Sequence, residues 1–239
     1  MKKILLMGAF LMSALTIQAQ TADEVIEKYI AARGGADKLK GVKSVRMETS
    51  TSLMGNDIKS VSTIVAGKGM RSDATVMGQT ITQAFDGTKG WMVNPLAGSN
   101  DPQEIPAEMS KSLADQLDLT GPIVDYKAKG NKVEMLGKEA VDGKDTYKLQ
   151  LTRPDGTVIT HFINTTSYLD QKVTSKTKVN GQDVEGEVYF DDYRAVDGVK
   201  FPFLNEMSNP QFGRMKIKVE KIEVNPTVDE AIFKMPAKK

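Results

Sequence analysis

The 239-residue sequence contains no cysteine, and it has one histidine, His161, and one tryptophan, Trp91. Without thiols there is no disulfide, no thiolate nucleophile, no iron–sulfur cluster and no cysteine-ligated zinc. Lipid attachment to a cysteine of this chain is excluded as well. A lone histidine removes every two-histidine metal site. Aromatic residues make up only 6% of the chain. Charge of one sign is also missing: 32 Lys and Arg face 31 Asp and Glu, for a formal net charge of +1. That balance leaves no basic footprint for nucleic acid. Neither a Gly-rich phosphate loop nor a G-x-S-x-G nucleophile elbow occurs. Beyond the first twenty residues, Lys, Asp or Glu interrupts every apolar run, so no later segment reaches membrane-spanning length.

What is present begins with an export signal. Lys2 and Lys3 precede a mostly apolar stretch from Ile4 to Ile17, then Gln18-Ala19-Gln20. The short apolar run and small-residue exit match a secretory signal cleaved near Ala19/Gln20, which predicts an exported protein. Residues 1–19 are then the signal peptide and 20–239 one domain. Loss of Lys2 and Lys3 takes the net charge from +1 to −1. An exported chain without disulfides depends on its core for stability.

Periodicity predicts a mainly β protein with a few helices. Thr21-Ala22-Asp23-Glu24 has capping-box spacing, and Val25, Ile26, Tyr29 and Ile30 share one helical face. Gly34-Gly35 ends that helix, and a short helical turn follows over 36–40. From Ser44 the period becomes two: Val45, Met47, Thr49, Thr51 and Leu53 alternate with polar residues. Further strands fall near 58–66, 69–77, 79–86 and 91–93. Residues 94–102 carry Pro95 and Pro102 and read as a loop. A second helix starts near Pro106, with Ile105, Met109, Leu113 and Leu117 in one apolar row.

After it, strands are predicted near 147–151, 158–163, 171–179, 184–193, 199–205 and 215–224. Turn pairs recur at Asp142-Gly143, Asp155-Gly156, Asn180-Gly181 and Asp197-Gly198. The phase of the last strand slips between Val219 and Ile222, which predicts a bulge near Glu220-Lys221. About ten strands with two amphipathic helices imply a curved antiparallel sheet, closed as a barrel or open with helices on its concave side.

Individual residues offer little chemistry. His161 lies within a strand and reads as a surface or packing residue. The acidic pairs Asp191-Asp192 and Asp142/Asp145 read as turn-forming and solvated, with weak calcium binding as the other possibility. Asn164-Thr165-Thr166 matches a glycosylation sequon. Ten methionines follow the signal, several at strand positions where Val or Ile is expected. Such lining suits a flexible acyl chain, and ordinary gap-filling in a core explains it equally.

One constellation carries a resemblance. Asp86-Gly87-Thr88-Lys89-Gly90-Trp91-Met92-Val93-Asn94-Pro95 reads D-G-x-x-x-W-x-x-N-P. It resembles the matching hairpin of the periplasmic outer-membrane lipoprotein carriers, the LolA/LolB-like superfamily. Lys68-Gly69-Met70-Arg71 resembles that family's arginine-bearing strand. The two helices and the final Phe233-Lys234-Met235-Pro236 also resemble that family, and the segments 121–126 and 196–203 are similar to a branch of lipoprotein-sorting proteins.

The resemblance implies an open antiparallel half-barrel whose concave apolar face is covered by helices. It implies a soluble carrier of lipoprotein acyl chains or another lipid, without a cofactor or an enzymatic activity. An inner-membrane lipoprotein exporter and an outer-membrane receptor are the implied partners. The absent cysteine distinguishes this chain from a lipid-anchored receptor. On this reading Val45, Met47, Val76, Phe85 and Trp91 line the cavity, and Ile105, Met109, Leu113 and Leu117 cover it. Arg71 matches the arginine that bonds to lid backbone, although Ser72 follows it where proline is common. A simple ion pair with Asp73 is the other role open to Arg71. A periplasmic sensor or interaction protein on the same fold is the alternative function.

Overall fold

The computed structural model describes residues 20–53, 55–179, 182–209 and 213–237. The expected signal over 1–19, Met54 and the Asn180-Gly181 turn lie outside the described residues. Thirteen strands form one antiparallel sheet. They are β1 (Ser44–Leu53), β2 (Asn56–Val65), β3 (Gly69–Val76), β4 (Gln79–Phe85), β5 (Gly90–Asn94), β6 (Ser99–Glu104), β7 (Lys132–Val141), β8 (Lys144–Thr152), β9 (Val158–Asn164), β10 (Asp170–Val179), β11 (Gln182–Val196), β12 (Val199–Asn209) and β13 (Gly213–Val224). The helices are α1 (Ala22–Arg33), α2 (Ala36–Gly41) and α3 (Ala107–Asp115).

The strand order is β6-β5-β4-β3-β2-β1-β13-β12-β11-β10-β9-β8-β7. Two meanders therefore run outward from the β1–β13 pair, and β6 and β7 remain as free edges. The sheet is not closed, and the structure is the open, mainly β half-barrel expected from sequence.

Alternation assigns the faces. Val45 pairs with Ile64, Ile64 with Met70, Met70 with Phe85, and Phe85 with Gly90, so these five share one face. That face holds the helices and is the concave one. α1 presents Val25, Ile26 and Tyr29, α2 presents Leu39, and the irregular 121–131 segment presents Ile123 and Val124. They pack against Val45, Leu149, Leu151, Ile163, Val199, Phe203, Val219 and Ile222. A smaller cluster joins Met70, Phe85, Ile105, Leu113 and Leu117 beneath α3.

α1 is fastened at both ends and in the middle. Thr21 and Glu24 exchange the capping-box bonds. Asp23 accepts from Tyr126 Oη at 2.6 Å and from Lys127 Nζ at 2.9 Å. Tyr29 Oη donates to Asp170 Oδ2 at 2.8 Å, and His161 Nδ1 lies 3.0 Å from Asp170 Oδ1. Arg33 donates to the Tyr29 hydroxyl, and Tyr193 Oη donates to the Asp170 carbonyl. Burial first, and the Asp170 charge next, hold the Tyr29 phenol far above its ordinary pKa, so it stays a neutral donor. His161 is thus a buried packing residue, oriented by Asp170.

The structure corrects two details of the sequence reading. Within the loop expected over 94–102, residues from Ser99 onward form edge strand β6, which runs to Glu104. Pro102 is tolerated there because β6 pairs on one side only. β7 was not expected. Its alternation breaks at a bulge between Met135 and Gly137, so the two-residue period is lost in mid-strand. Exposed Lys132, Glu134, Lys138 and Glu139 guard this edge against foreign strands. The β13 bulge falls where expected: Glu48 pairs with Lys221 and Thr49 with Val219, leaving Glu220 over. Asp142-Gly143 and Asp197-Gly198 are two-residue turns with both φ angles positive.

The end of α1 abuts the β11–β12 turn. Gly34 has φ +123°, and a Cβ there would stand 2.2 Å from the Gly198 carbonyl oxygen. Gly35, at φ +94°, has open space around it. Gly34→Ala is therefore expected to cost about 2–4 kcal/mol and Gly35→Ala only about 1 kcal/mol. Thermal unfolding of the two variants checks the order, with Gly34→Ala melting lower by several degrees.

Candidate functional site

The helices do not cover the whole concave face. The row nearest them, Val45-Ile64-Met70-Phe85-Gly90, lies under α3 and its neighbours. Beyond it comes a second row, Met47-Ser62-Ser72-Gln83-Met92. A third runs Val219-Thr49-Ser60-Ala74-Ile81, and Ile217 pairs with Thr51, which pairs with Ile58. Apart from Val219, which is buried in the main core, these outer rows stay half-buried, with Met47 and Met92 packed at the margins of the two clusters. Met207 pairs with Met215 on the same face, and Met207 keeps 43% of its surface exposed.

Charge is sorted between the faces. Inner positions of β1–β5, β12 and β13 carry no Asp, Glu, Lys or Arg. On the opposite face of β1–β3 stand Arg46, Glu48, Lys59, Arg71 and Asp73. Two-residue alternation alone produces this separation, and a one-residue slip in any strand would destroy it.

The residues expected at the site divide into three groups. Phe85, Ile105, Leu113 and Leu117 meet in the cluster under α3, and Val45 is buried in the main core. Met47 and Val76 stand half-buried on inner rows. Met109, Trp91 and Arg71 lie elsewhere. Met109 is 43% exposed, because α3 turns Leu113, not Met109, toward the sheet. A groove of about 440 Å³ runs beside this helix, lined by Phe85, Gly90, Ile105, Ala107, Ser110 and Ala114 among others.

Trp91 and Arg71 are on the convex face. Arg46 pairs with Thr63, Thr63 with Arg71, Arg71 with Ala84 and Ala84 with Trp91, a row of the opposite parity to Phe85. Arg71 bonds both oxygens of Asp73, at 2.8 and 2.9 Å, and Nη1 donates to the Ile232 carbonyl at 3.4 Å. Its partners are thus Asp73 and the carboxy-terminal 3-10 turn (Glu230–Phe233), not the lid helices. Trp91, only 2% exposed, donates Nε1–H to the Phe233 carbonyl at 2.7 Å. The Phe233 ring fills the space beside Gly69, where a Cβ would come within 2.6 Å of it. Lys68 and Glu230 add a bond at the rim. Sequence reasoning placed the final segment near the fold's end but had no signal for the face it covers.

These contacts make the tail a clamp. Phe233→Ala is expected to cost about 3 kcal/mol and Trp91→Phe about 1–2 kcal/mol. Because both act on one segment, the double variant should lose less than the sum, read by denaturant unfolding. Burial raises the Asp73 pKa, but bonds from Arg71 and Thr82 outweigh it and hold the carboxyl below its ordinary value. Its stabilising contribution is present above about pH 4 and is lost as pH falls through the lower folded-state value. The stability gap between the native chain and Asp73→Asn should therefore close as pH drops from about 6 to below 3, measured by unfolding across that range.

Among the described residues, no helix is long and apolar enough to cross a membrane, and no group of three or more His, Asp or Glu is placed to hold a metal ion. No protein-family model matches the sequence, and no curated protein matches it. Solved structures do. A DUF1329 family protein from Desulfovibrio piger superposes with a TM-score of 0.58 at 14% identity, covering 90% of this chain and 98% of that one. A LolA superfamily protein from Nitrosomonas europaea gives 0.56 at 15% identity, with 90% and 98% covered. A domain from Vibrio parahaemolyticus described as an outer membrane lipoprotein-sorting protein gives 0.52 at 15% identity, with 88% and 94% covered. At such identities the likeness concerns the fold, and the fold of this chain is the LolA-like one.

Proposed function

We propose that the chain is a periplasmic carrier that shields lipoprotein acyl chains, or another lipid, on the uncovered part of its concave face. The carrying observation is the charge-free inner surface of β1–β5, β12 and β13, which beyond its buried core keeps Met47, Met92, Met215 and Ile217 half-buried and Met207 exposed. Apolar side chains on an unsealed concave surface are what an acyl chain needs. Each buried methylene contributes about 0.8 kcal/mol, so ten contribute roughly 8 kcal/mol before costs. Methionine adapts to a chain of variable shape. The sequence supports export, with a signal read over 1–19 and cleavage near Ala19/Gln20. An inner-membrane exporter and an outer-membrane receptor complete the proposed route, and no catalytic step is required of the chain.

A second reading rests on one observation. Directly beneath α1 the concavity is filled by fully buried Leu149, Leu151 and Ile163. A filled interior there suits a sensor or interaction protein that presents a surface instead of a cavity.

Two measurements separate the readings. Native mass spectrometry of protein taken from its own periplasm should show co-purifying acylated lipoprotein or lipid. A protein that is repeatedly empty, and that fails to release lipoprotein from membranes, overturns the carrier reading. Met47→Glu and Ile217→Glu place a carboxylate on the charge-free face at half-exposed sites. Each should lower acyl-chain binding at least tenfold while the far-ultraviolet circular dichroism is unchanged. Undiminished binding in both would move the site elsewhere.

A further inference from the structure

The concave face is not uniformly apolar. Thr49, Ser60, Ser62, Ser72 and Gln83 occupy adjacent inner positions on four neighbouring strands, β1 to β4. They form an island of neutral hydrogen-bonding groups between two apolar zones. On one side lies the row under α3, with Met70 and Phe85. On the other lie Ile58, Ile217 and Val76. Ser62 and Ser72 bond each other at 3.0 Å. The island is half-buried, not sealed. A sheet that needed only a core would fill these inner positions with Val or Ile, because such hydroxyls lower the apolar burial.

We infer that the concave face accepts a lipid whose polar segment is uncharged, an ester, amide or hydroxyl group, and that it discriminates against a free carboxylate or phosphate at that place. The inference rests on the acyl-chain reading above and specifies which lipids satisfy it. Three observations support it. The island supplies donors and acceptors but no charge. No Lys or Arg stands at any inner position of β1–β5, β12 or β13, so an anion seated there loses water without gaining a counter-ion. The Arg194 guanidinium, above the Phe203 ring at the α1 end of the sheet, is already paired with Asp192. The amide oxygen of Asn205, paired with Ile217 on the same face, is an acceptor without a partner among the described residues. An acceptor of that kind meets a hydroxyl or amide N–H and repels an anionic oxygen.

The ligand geometry follows from the layout. The chain lies along the methionine-bearing strands or beneath α3, and the polar linkage rests on β1–β4. Two chains branching from one neutral linkage would fit the two apolar zones on either side of the island.

The test uses three probes with the same sixteen-carbon chain, each below its critical micelle concentration: monopalmitoylglycerol, palmitate, and palmitoyl lysophosphatidate. Binding to the chain from residue 20 onward is followed by native mass spectrometry and by displacement of a fluorescent apolar dye at pH 7.5. Monopalmitoylglycerol should bind at least tenfold more tightly than either anion. Ser72→Val combined with Gln83→Leu should reduce that preference to less than threefold while palmitate binding is unchanged or tighter. Gln83→Leu replaces a half-buried neutral group by an apolar one of similar size, Ser72→Val adds one carbon at a half-buried site, and circular dichroism checks the fold. Ser62→Ala alone gives the same readout with the least disturbance. Equal binding of the three probes overturns the inference and leaves the carrier reading standing. Binding of none of them, with dye also excluded, overturns the carrier reading itself. A preference for the anions would place a cation at the site and overturn the inference outright.

Discussion

The pairing of β1 with β13 is the constraint on which the rest depends. It joins the first strand of the chain to the last and makes one sheet from two meanders. A bulge is built into it. Glu220 is the extra residue, so Val219 and Ile222 both turn inward although an odd number of positions separates them. Without the extra residue one of them would face solvent, and the core beneath α1 would lose a large side chain. Once this pair forms, both meanders must grow outward, and β6 and β7 become the free edges. The segment between them then has to cross from one edge to the other. α3 and residues 116–131 do so on the concave side. The cover of the site is thus a consequence of strand order as much as of its own sequence.

Much of this was legible from residues alone. Capping, glycine stops and two-residue alternation located α1 and most strands, and the phase slip in the last strand located the bulge. β6 and β7 were hidden for physical reasons. Ser-Asn-Asp-Pro-Gln-Glu buries only Pro102 and carries no Val, Ile or aromatic residue, so it shows no two-residue alternation. In β7, Gly137 at φ +106° resets the alternation after Met135. The inner rows were only half legible. Val45, Met47, Val76 and Phe85 share one face, and each lies in a strand whose phase is clear in the sequence. The hydroxyl island was not legible, because Ser and Thr at inner positions look like solvent-facing residues until the register is known.

Trp91 and Arg71 show how a resemblance can identify a segment without identifying its face. Phe85 and Trp91 are six residues apart, an even number, which in one continuous strand would put them on the same side. A turn at Asp86–Lys89 intervenes, and Phe85 pairs with Gly90, so Trp91 takes the other side. There it meets the carboxy-terminal turn and shares it with Arg71, whose guanidinium lies 6.0 Å from the Trp91 ring centroid. Arg71 is satisfied by the Asp73 carboxylate, as a half-buried cation requires. On β1–β5 the convex face receives charge and the tail, and the concave face receives neither. That division leaves the inner surface of β1–β5 free for apolar and neutral polar groups.

Which cover can move follows from what each would expose. Lifting α1 uncovers Val25, Ile26 and Tyr29 and strips Asp170 of its phenol partner beside a buried histidine. Three large side chains cost roughly 5–9 kcal/mol, and a buried carboxyl that loses one of its two partners costs about 1–3 kcal/mol more. α1 is therefore part of the permanent core. α3 buries Leu113, flanked by Ile105 and Leu117, and has no side-chain cap at its start. Its remaining ties are Lys111 to Asp155, Arg153 to Asp115, and the Ser110 hydroxyl accepting from Gly90 N–H, the ion pairs lying at the surface. Exposed pairs of this kind contribute little, about 0–1 kcal/mol each. Displacing α3 thus costs on the order of 5–9 kcal/mol, close to the roughly 8 kcal/mol that ten acyl methylenes return. The two terms nearly cancel, so on the proposed carrier reading α3 is the cover that can yield to an acyl chain and close again. The same arithmetic applied to α1 would leave it shut.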